Sequence, residues 1–238
     1  MRKPNEPYSW LRAYAAATST TASYNTLLNA ATPKESDKPS KTTTIACRDV
    51  LYQLWLLDPL PGWSTSRSHL NRLTQAPKLH LCDPTLAAHL LGIDSSVLLS
   101  GKNTGPKISR GKSMLGASFD SLIELSVRLY AQLHEATVHH LRPTPTVHHP
   151  LFITCLHHLR TKDGRHEIDL IIQRRDQRIV ALEVKLSGAP ASTDVRHLPW
   201  LREQLGDDLL DAMAATSGAR TYKRANGIAV IPAALFGV

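Results

Sequence analysis

Apolar residues recur at helical spacing along the N-terminal quarter of the chain. Two series are separated by a polar segment: Trp10, Tyr14 and Ala17, then Tyr24, Leu27, Leu28 and Ala31. After the Pro- and Lys-rich loop TPKESDKPSK, a third helix is predicted, capped by Thr43 or Thr44 and stopped by Asp58 and Pro59. Its predicted apolar face comprises Cys47, Val50, Leu51, Leu54 and Trp55. Three short helices predict either a winged-helix-like module or a plain helical bundle serving as a scaffold, and periodicity does not distinguish the two.

The middle of the chain is rich in helix-capping and loop-forming residues. The stretch DPTLAAHLLG predicts a short capped helix that ends at Gly92. The stretch GKNTGPKISRGKSM is not a Walker A loop. Five residues separate Gly105 from Gly111 where that motif has four, and no apolar strand precedes it. We therefore predict a linker at 101–115, between a helical module at 1–100 and a second domain at 116–238.

The C-terminal half alternates helical and strand patterns. A helix is predicted from Gly116, with Asp120 and Glu124 one turn apart on its flank. Its predicted apolar stripe comprises Phe119, Leu122, Ile123, Ser126, Val127, Tyr130 and Leu133. Strand patterns follow at 151–159, 166–173 and 179–186, then a helix at 197–206 and a strand within GIAVIPAALFGV. This order predicts an α/β domain and an α+β fold overall.

Two acids and a lysine occupy strand positions in HEIDLIIQRRDQRIVALEVKLS. Side chains alternate faces along a strand, so Glu183 and Lys185 share one face, and an antiparallel hairpin across RRDQR would bring Asp169 beside them. Carboxylates are the hard oxygen ligands that Mg²⁺ or Mn²⁺ takes. The alternative is a solvent-facing ion pair, worth about 0 to 1 kcal/mol. Glu167 shares the face of Asp169, next to His166, and is the reserve metal ligand.

Charge and composition restrict the surroundings and the partners. The chain of 238 residues has a formal net charge of +8, which favours a polyanionic partner or reflects a merely basic surface. Three cysteines without a CxxC pair are typical of reduced thiols. No apolar run has the roughly 18 residues of a membrane span, and the N-terminus lacks a secretory h-region. We expect a cytoplasmic protein with no membrane partner.

Several segments together resemble a known family. They are WLRAYAAATSTTASY, RDVLYQLWLLDPLPGW, RLTQAPKLHLCDPTLAAHLLG, GASFDSLIELSVRLYAQ, HEIDLIIQRRDQRIVALEVKLS and DVRHLPWLREQLGD. The chain resembles, over almost its whole length, the C-terminal region of bacterial and archaeal AAA+ ATP-binding proteins. In that family an ATPase domain precedes a winged helix and a restriction-endonuclease-like domain with a PD-(D/E)XK nuclease motif. The chain has no Walker A motif, so we expect no ATP hydrolysis from it.

The resemblance implies roles for four residues. Asp169, Glu183 and Lys185 match the nuclease-like triad, with Ile168 where the motif has Pro. The helical acid of the family falls on Asp120, where Asp replaces the usual Glu. Asp169, Glu183 and Asp120 are thus the implied ligands of Mg²⁺ or Mn²⁺, and Lys185 would position the attacking water. The implied partners are nucleic acid, most of all DNA, and a separate AAA+ ATPase.

Three hypotheses follow. The first is a metal-dependent phosphodiesterase-like nuclease module that acts on nucleic acid and works with an ATPase. The second is a catalytically inactive DNA-binding or regulatory module in which the nuclease-like fold is a scaffold. The third is a remnant of a decayed ATPase gene without an independent role. Strict divalent-metal dependence distinguishes the first from the second, and ready aggregation of the isolated chain indicates the third.

Overall fold

The computed structural model describes residues 6–32, 41–64, 73, 76–101, 108, 111–139, 155–174 and 176–236. The chain forms two compact units, one of residues 1–61 and 76–122 and one of residues 62–75 and 123–238. Helices fill the described part of the first unit and a mixed sheet lies in the second, so the predicted α+β class is confirmed. The division falls within a long helix, whereas most of the predicted linker and the loop at 33–40 lie outside the described residues.

Five helices and the start of a sixth belong to the first unit as far as it is described. Their bounds are α1 Glu6–Ala16, α2 Tyr24–Ala31, α3 Lys41–Gln53, α4 Pro84–Leu90, α5 Ser95–Ser100 and α6 Met114–His139. Ser23 caps α2, Asp83 caps α4 and Asp94 caps α5, each by accepting from a backbone N–H. Gly92, the predicted end of the fourth helix, has φ +67°, a left-handed conformation that favours glycine.

Helix α1 is the centre of the first core. Its last four residues, Ala13, Tyr14, Ala15 and Ala16, are buried, and α1 packs against α2, α3 and α4. Short antiparallel bridges join Leu57 to Leu81 and Leu60 to Lys78, and Thr20 bridges to Leu79. The winged-helix assignment of this unit stays a prediction.

Two predicted helix faces were wrong. Helix α3 begins at Lys41 and ends at Gln53, so Leu54 and Trp55 lie beyond it, 60% and 84% exposed, and Trp55 has φ +57°. The side chain of Leu51 is buried while that of Val50 is exposed. In α6, Leu122 of the predicted apolar stripe is exposed and the polar residues Asp120, Ser121 and Glu124 are buried. Periodicity alone places apolar groups inside, and here buried polar interactions set the helix rotation instead.

The second unit contains a six-stranded sheet in the order β1-β2-β3-β4-β6-β5. The strands are β1 Cys155–Arg160, β2 Glu167–Gln173, β3 Ile179–Lys185, β4 Leu209–Thr216, β5 Tyr222–Lys223 and β6 Ala229–Pro232. Strands β1, β2 and β3 form antiparallel pairs, while β3, β4 and β6 are parallel. Helix α7, His197–Leu205, lies between β3 and β4 in the chain, as a parallel crossover requires. The start of the first predicted strand, at 151–154, lies outside the described residues.

Strand β4 and helix α5 were not predicted. The sequence LLDAMAAT of β4 has three alanines and little β-branching, so its propensity for a strand is weak. It forms because β3 and β6 pair with it on both sides, and Ala212, Ala214 and Ala215 are fully buried. Among the described helices, none combines the length and the apolar character needed to cross a lipid bilayer.

Candidate functional site

The charged residues of the central hairpin converge. Leu170 pairs with Leu182 across β2 and β3, so continuing the antiparallel register places Asp169 opposite Glu183. The backbone N–H of Val184 donates to Oδ2 of Asp169 at 3.0 Å. Nζ of Lys185 lies 2.8 Å from Oε2 of Glu183 and 3.6 Å from Oδ2 of Asp169. The predicted antiparallel pairing is therefore confirmed, and three of the four predicted site residues lie together.

Because the two acids are buried, an ion pair with Lys185 alone does not offset the free energy of removing their charges from water. Asp169 is 5% exposed and Glu183 2% exposed, so the predicted alternative of a solvent-facing ion pair is wrong for the two acids. Glu183 lies on the same strand face as Ala181, which belongs to the core that α7 covers, and Asp169 lies in the part of β2 where the register with β1 shifts. The side chain of Lys185 is 26% exposed and is the most accessible of the three. The site therefore opens at the C-terminal end of β3.

With both acids ionised, the cluster has a net negative charge. Burial raises the pKa of Glu183 well above its usual range, the charge of Asp169 raises it further, and the ammonium of Lys185 offsets part of the rise. Oε1 of Glu183 is buried and has no hydrogen-bond partner among the described residues. Two carboxylates against one ammonium leave a buried group that a proton or a cation would stabilise.

The donor set fits a hard divalent cation. Asp169 and Glu183 offer carboxylate oxygens, and Mg²⁺ binds through one or two carboxylates together with waters and substrate phosphate. Within the described ranges, no group of three or more His, Cys, Asp or Glu side chains has a metal-holding arrangement. A cation at this site would therefore take its remaining ligands from water and from a substrate.

Asp120, the fourth predicted site residue, belongs to the first unit. It is 4% exposed and accepts a hydrogen bond from the hydroxyl of Ser19 at 2.5 Å. It also forms an ion pair with Lys112. Ser19 has φ +59°, and its N–H donates to the carbonyl of Leu79 at 2.8 Å. Asp120 thus ties three segments of the first unit, and its role as a metal ligand stays a prediction.

The loops that follow β3 and β4 are held against each other at the open end of the site. The hydroxyl of Ser217 donates to the carbonyl of Leu186. A Cβ added to Gly218 would lie 2.5 Å from the carbonyl oxygen of Gly188, so only glycine fits there. These contacts fix the position of the backbone segment that follows Lys185. Neither glycine was singled out from the sequence, because their approach depends on the parallel pairing of β3 with the unpredicted β4.

Glu167, the reserve ligand, begins β2. Its Oε2 lies 3.9 Å from Nε of Arg160, and its side chain is 41% exposed. The histidine doublets at 139–140 and 148–149 lie outside the described side chains. Next to Glu167, His166 contacts His197 and Trp200 of α7. His197 was not singled out from the sequence, because nothing local links it to β2.

Comparison with known families covers both ends of the chain. Residues 148–236 match a domain of unknown function, DUF4143, which is found in AAA-ATPase-associated proteins. Residues 1–97 match a second domain of unknown function, DUF8612. The first match includes Asp169, Glu183 and Lys185, whereas Asp120 lies between the two. No curated protein and no solved structure is matched.

Proposed function

We propose that this chain is a metal-dependent phosphodiesterase module of the PD-(D/E)XK type that acts on nucleic acid, with DNA as the expected substrate. One observation carries the proposal: Oε1 of Glu183 is buried beside Asp169 and has no hydrogen-bond partner among the described residues. A buried oxygen of this kind costs free energy unless a proton or a cation is bound. Mg²⁺ or Mn²⁺ is the cation whose ligand preference fits two carboxylates.

Each residue of the cluster has a separate role in the proposal. Asp169 and Glu183 hold the cation, which when bound supplies Lewis-acid chemistry to a phosphoryl oxygen and to water. The ammonium of Lys185 stays within 3.6 Å of both carboxylates and orients the attacking water or stabilises negative charge on the phosphate. The proposal rests on these three residues, and Asp120 is tested separately.

Two further observations support the substrate and the partner. The net charge of +8 favours a polyanion, because binding nucleic acid releases its condensed counterions. The match of residues 148–236 to a domain found in AAA-ATPase-associated proteins supports a separate AAA+ ATPase as partner.

A catalytically inactive nucleic-acid-binding module is the second candidate. The contact of Lys185 Nζ with Glu183 Oε2 at 2.8 Å favours it, because an ammonium neutralises one carboxylate without a metal. In that case the charged hairpin contributes only to the fold, and binding of DNA survives the loss of Asp169.

The test is cleavage of supercoiled, linear and single-stranded DNA by the purified chain in Mg²⁺ or Mn²⁺. EDTA and the variant Lys185→Ala should each abolish cleavage. Lys223→Ala, at an exposed lysine of β5, is the matched control and should cleave as the wild type does. Folded wild-type protein that binds DNA without cleaving it would reject the nuclease and favour the binding module.

A further inference from the structure

A pair of imidazoles lies at the end of β2 that precedes Asp169. His166 comes directly before β2, and His197 is the first residue of α7. Their Nδ1 atoms are 3.3 Å apart, and the rings meet edge to face. The indole of Trp200 stacks on the imidazole of His166, with the ring centroids 3.9 Å apart and an angle of 10° between the ring planes. The two contacts fix the ring of His166 in one orientation.

The hydrogen bonds of the pair determine which nitrogen of each ring carries the proton. Nε of Arg196 donates to Nε2 of His197 at 3.4 Å. A guanidinium only donates, so Nε2 of His197 is unprotonated and a neutral ring carries its proton on Nδ1. That proton is donated to Nδ1 of His166, whose own proton then lies on Nε2. This Nε2–H has no partner among the described residues.

The surroundings keep His197 neutral. Burial lowers the pKa of His197, and the nearby charges of Arg196, His166 and Lys185 lower it further, against an opposing effect of Glu167.

Basic residues lie close to the histidine pair in the chain. Lys162 and Arg165 lie in the exposed turn between β1 and β2, and Arg196 is exposed at the start of α7. Arg165 pairs with Asp163 at 3.4 Å, while Lys162 and Arg196 have no carboxylate partner in the part of the chain that the structure describes. Glu167, the acid next to His166, lies 3.9 Å from Arg160, so the charges of Lys162 and Arg196 leave a positive excess that favours an anionic ligand.

We propose that His166 donates its Nε2–H to a phosphate of the nucleic acid next to the phosphate held at the triad, and that His197 is a positioning residue. The proposal rests on the proposed function. Three residues of extended chain separate His166 from Asp169, about 10 Å at about 3.3 Å per residue. A separation of that size along the backbone favours contact with a phosphate other than the one on the cation.

The test is binding of a short fluorescein-labelled DNA, single-stranded and duplex, measured by fluorescence anisotropy in EDTA so that no metal-dependent cleavage occurs. His166→Ala should weaken binding about tenfold, the loss expected for one hydrogen bond to a charged group. The slope of affinity against salt should change little, because the contact is one hydrogen bond from a ring and not an ion pair with a Lys or Arg side chain. His166→Gln should keep most of the affinity, since its amide offers a donor near the position of Nε2.

Two further measurements complete the test. His89→Ala, at an exposed histidine of α4, is the matched control and should bind as the wild type does. Imidazole ¹⁵N shifts should place the proton of His166 on Nε2, and His197→Leu should leave a mixture of tautomers.

The outcomes separate this proposal from the nuclease. Wild-type affinity in His166→Ala, a proton on Nδ1 of His166, or no binding of either DNA by the wild type overturns the phosphate contact. Binding that depends on His166 in a protein that does not cleave DNA in Mg²⁺ rejects the hydrolysis and retains the contact.

Discussion

The carboxylate of Asp169 accepts a hydrogen bond from the backbone N–H of Val184 at 3.0 Å, across the β2–β3 pair. This bond orients the carboxylate of Asp169 beside Glu183, and Oδ2 of Asp169 thereby helps to hold the two strands together. The acid therefore has two separable roles, as an acceptor that supports the hairpin and as a negative charge. Substitutions that keep the first role and remove the second isolate the chemistry.

Asp169→Asn should abolish metal-dependent cleavage with little effect on folding. The amide oxygen still accepts from Val184, whereas the negative charge that attracts a divalent cation is lost. The measurement is cleavage in Mg²⁺ together with the increase in Tm that Mg²⁺ gives the wild type. Glu203→Gln, at an exposed acid of α7, is the matched control. An Asp169→Asn protein that Mg²⁺ stabilises as it does the wild type would contradict this site.

Glu183→Gln should raise the Tm of the metal-free protein at pH 8. Burial and the charge of Asp169 raise the pKa of Glu183 in the folded state, so ionised Glu183 destabilises the fold. The free energy of unfolding therefore falls as the pH rises from the ordinary pKa of glutamate through the raised pKa of Glu183. A neutral glutamine removes that dependence. The gain should disappear near pH 3, below the ordinary pKa of glutamate, where Glu183 is protonated in both states. Tm measured across this range in EDTA gives the answer, and an equal effect at both pH values would contradict it.

Lys185→Met should reduce the cleavage rate by about 10²-fold or more, the typical effect of removing one group that stabilises charge in a transition state. Methionine keeps much of the apolar stem and removes the ammonium 2.8 Å from Glu183. With that charge lost, the pKa of Glu183 should rise further. Single-turnover rates at saturating Mg²⁺ measure the effect on chemistry separately from metal binding, and a rate within a factor of about two of wild type would exclude Lys185 from the reaction.

Gly218→Ala should destabilise the protein by about 1–3 kcal/mol, as overpacking does. The added methyl group would lie 2.5 Å from the carbonyl oxygen of Gly188 and force apart the loops after β3 and β4. Gly111→Ala is the matched control, because a methyl group there meets nothing within 4 Å. Urea denaturation of both variants measures the difference. Equal stability of the two would show that the loops adapt without cost.

Asp120→Ala should destabilise the protein by about 1–3 kcal/mol, because it removes a buried acceptor from Ser19 and the ion-pair partner of Lys112. Asp120→Asn keeps an acceptor for Ser19 and should cost less. The second variant also tests the predicted metal role. If Asp120 is a ligand, Asp120→Asn lowers the Mg²⁺-dependent cleavage rate by more than its small loss of urea stability explains. If the role of Asp120 is structural, the cleavage rates of the two variants fall only as far as their urea stabilities fall.

The sequence alone determined the elements whose signals are local. Capping residues and glycine define α4, and alternation and a charged turn define the hairpin of β2 and β3, including the placement of Asp169 opposite Glu183. These follow from the sequence because neighbouring residues set a helix cap, a turn and the alternation of strand faces. For the same reason the approach of Asp169 to Glu183 and Lys185 was predictable before the structure, whereas their interpretation as a nuclease-like triad came from the family resemblance.

Tertiary structure decided everything that depends on distant partners. It made an alanine-rich segment into β4 by pairing it on both sides, and it buried Asp120 with Ser19, which is 101 residues away in the chain. It also brought His197 to His166 and left Oε1 of Glu183 buried without a partner among the described residues. The physical reason is that desolvation and long-range contacts are properties of the folded environment, so a sequence pattern shows which groups are charged but not which charges the fold has buried.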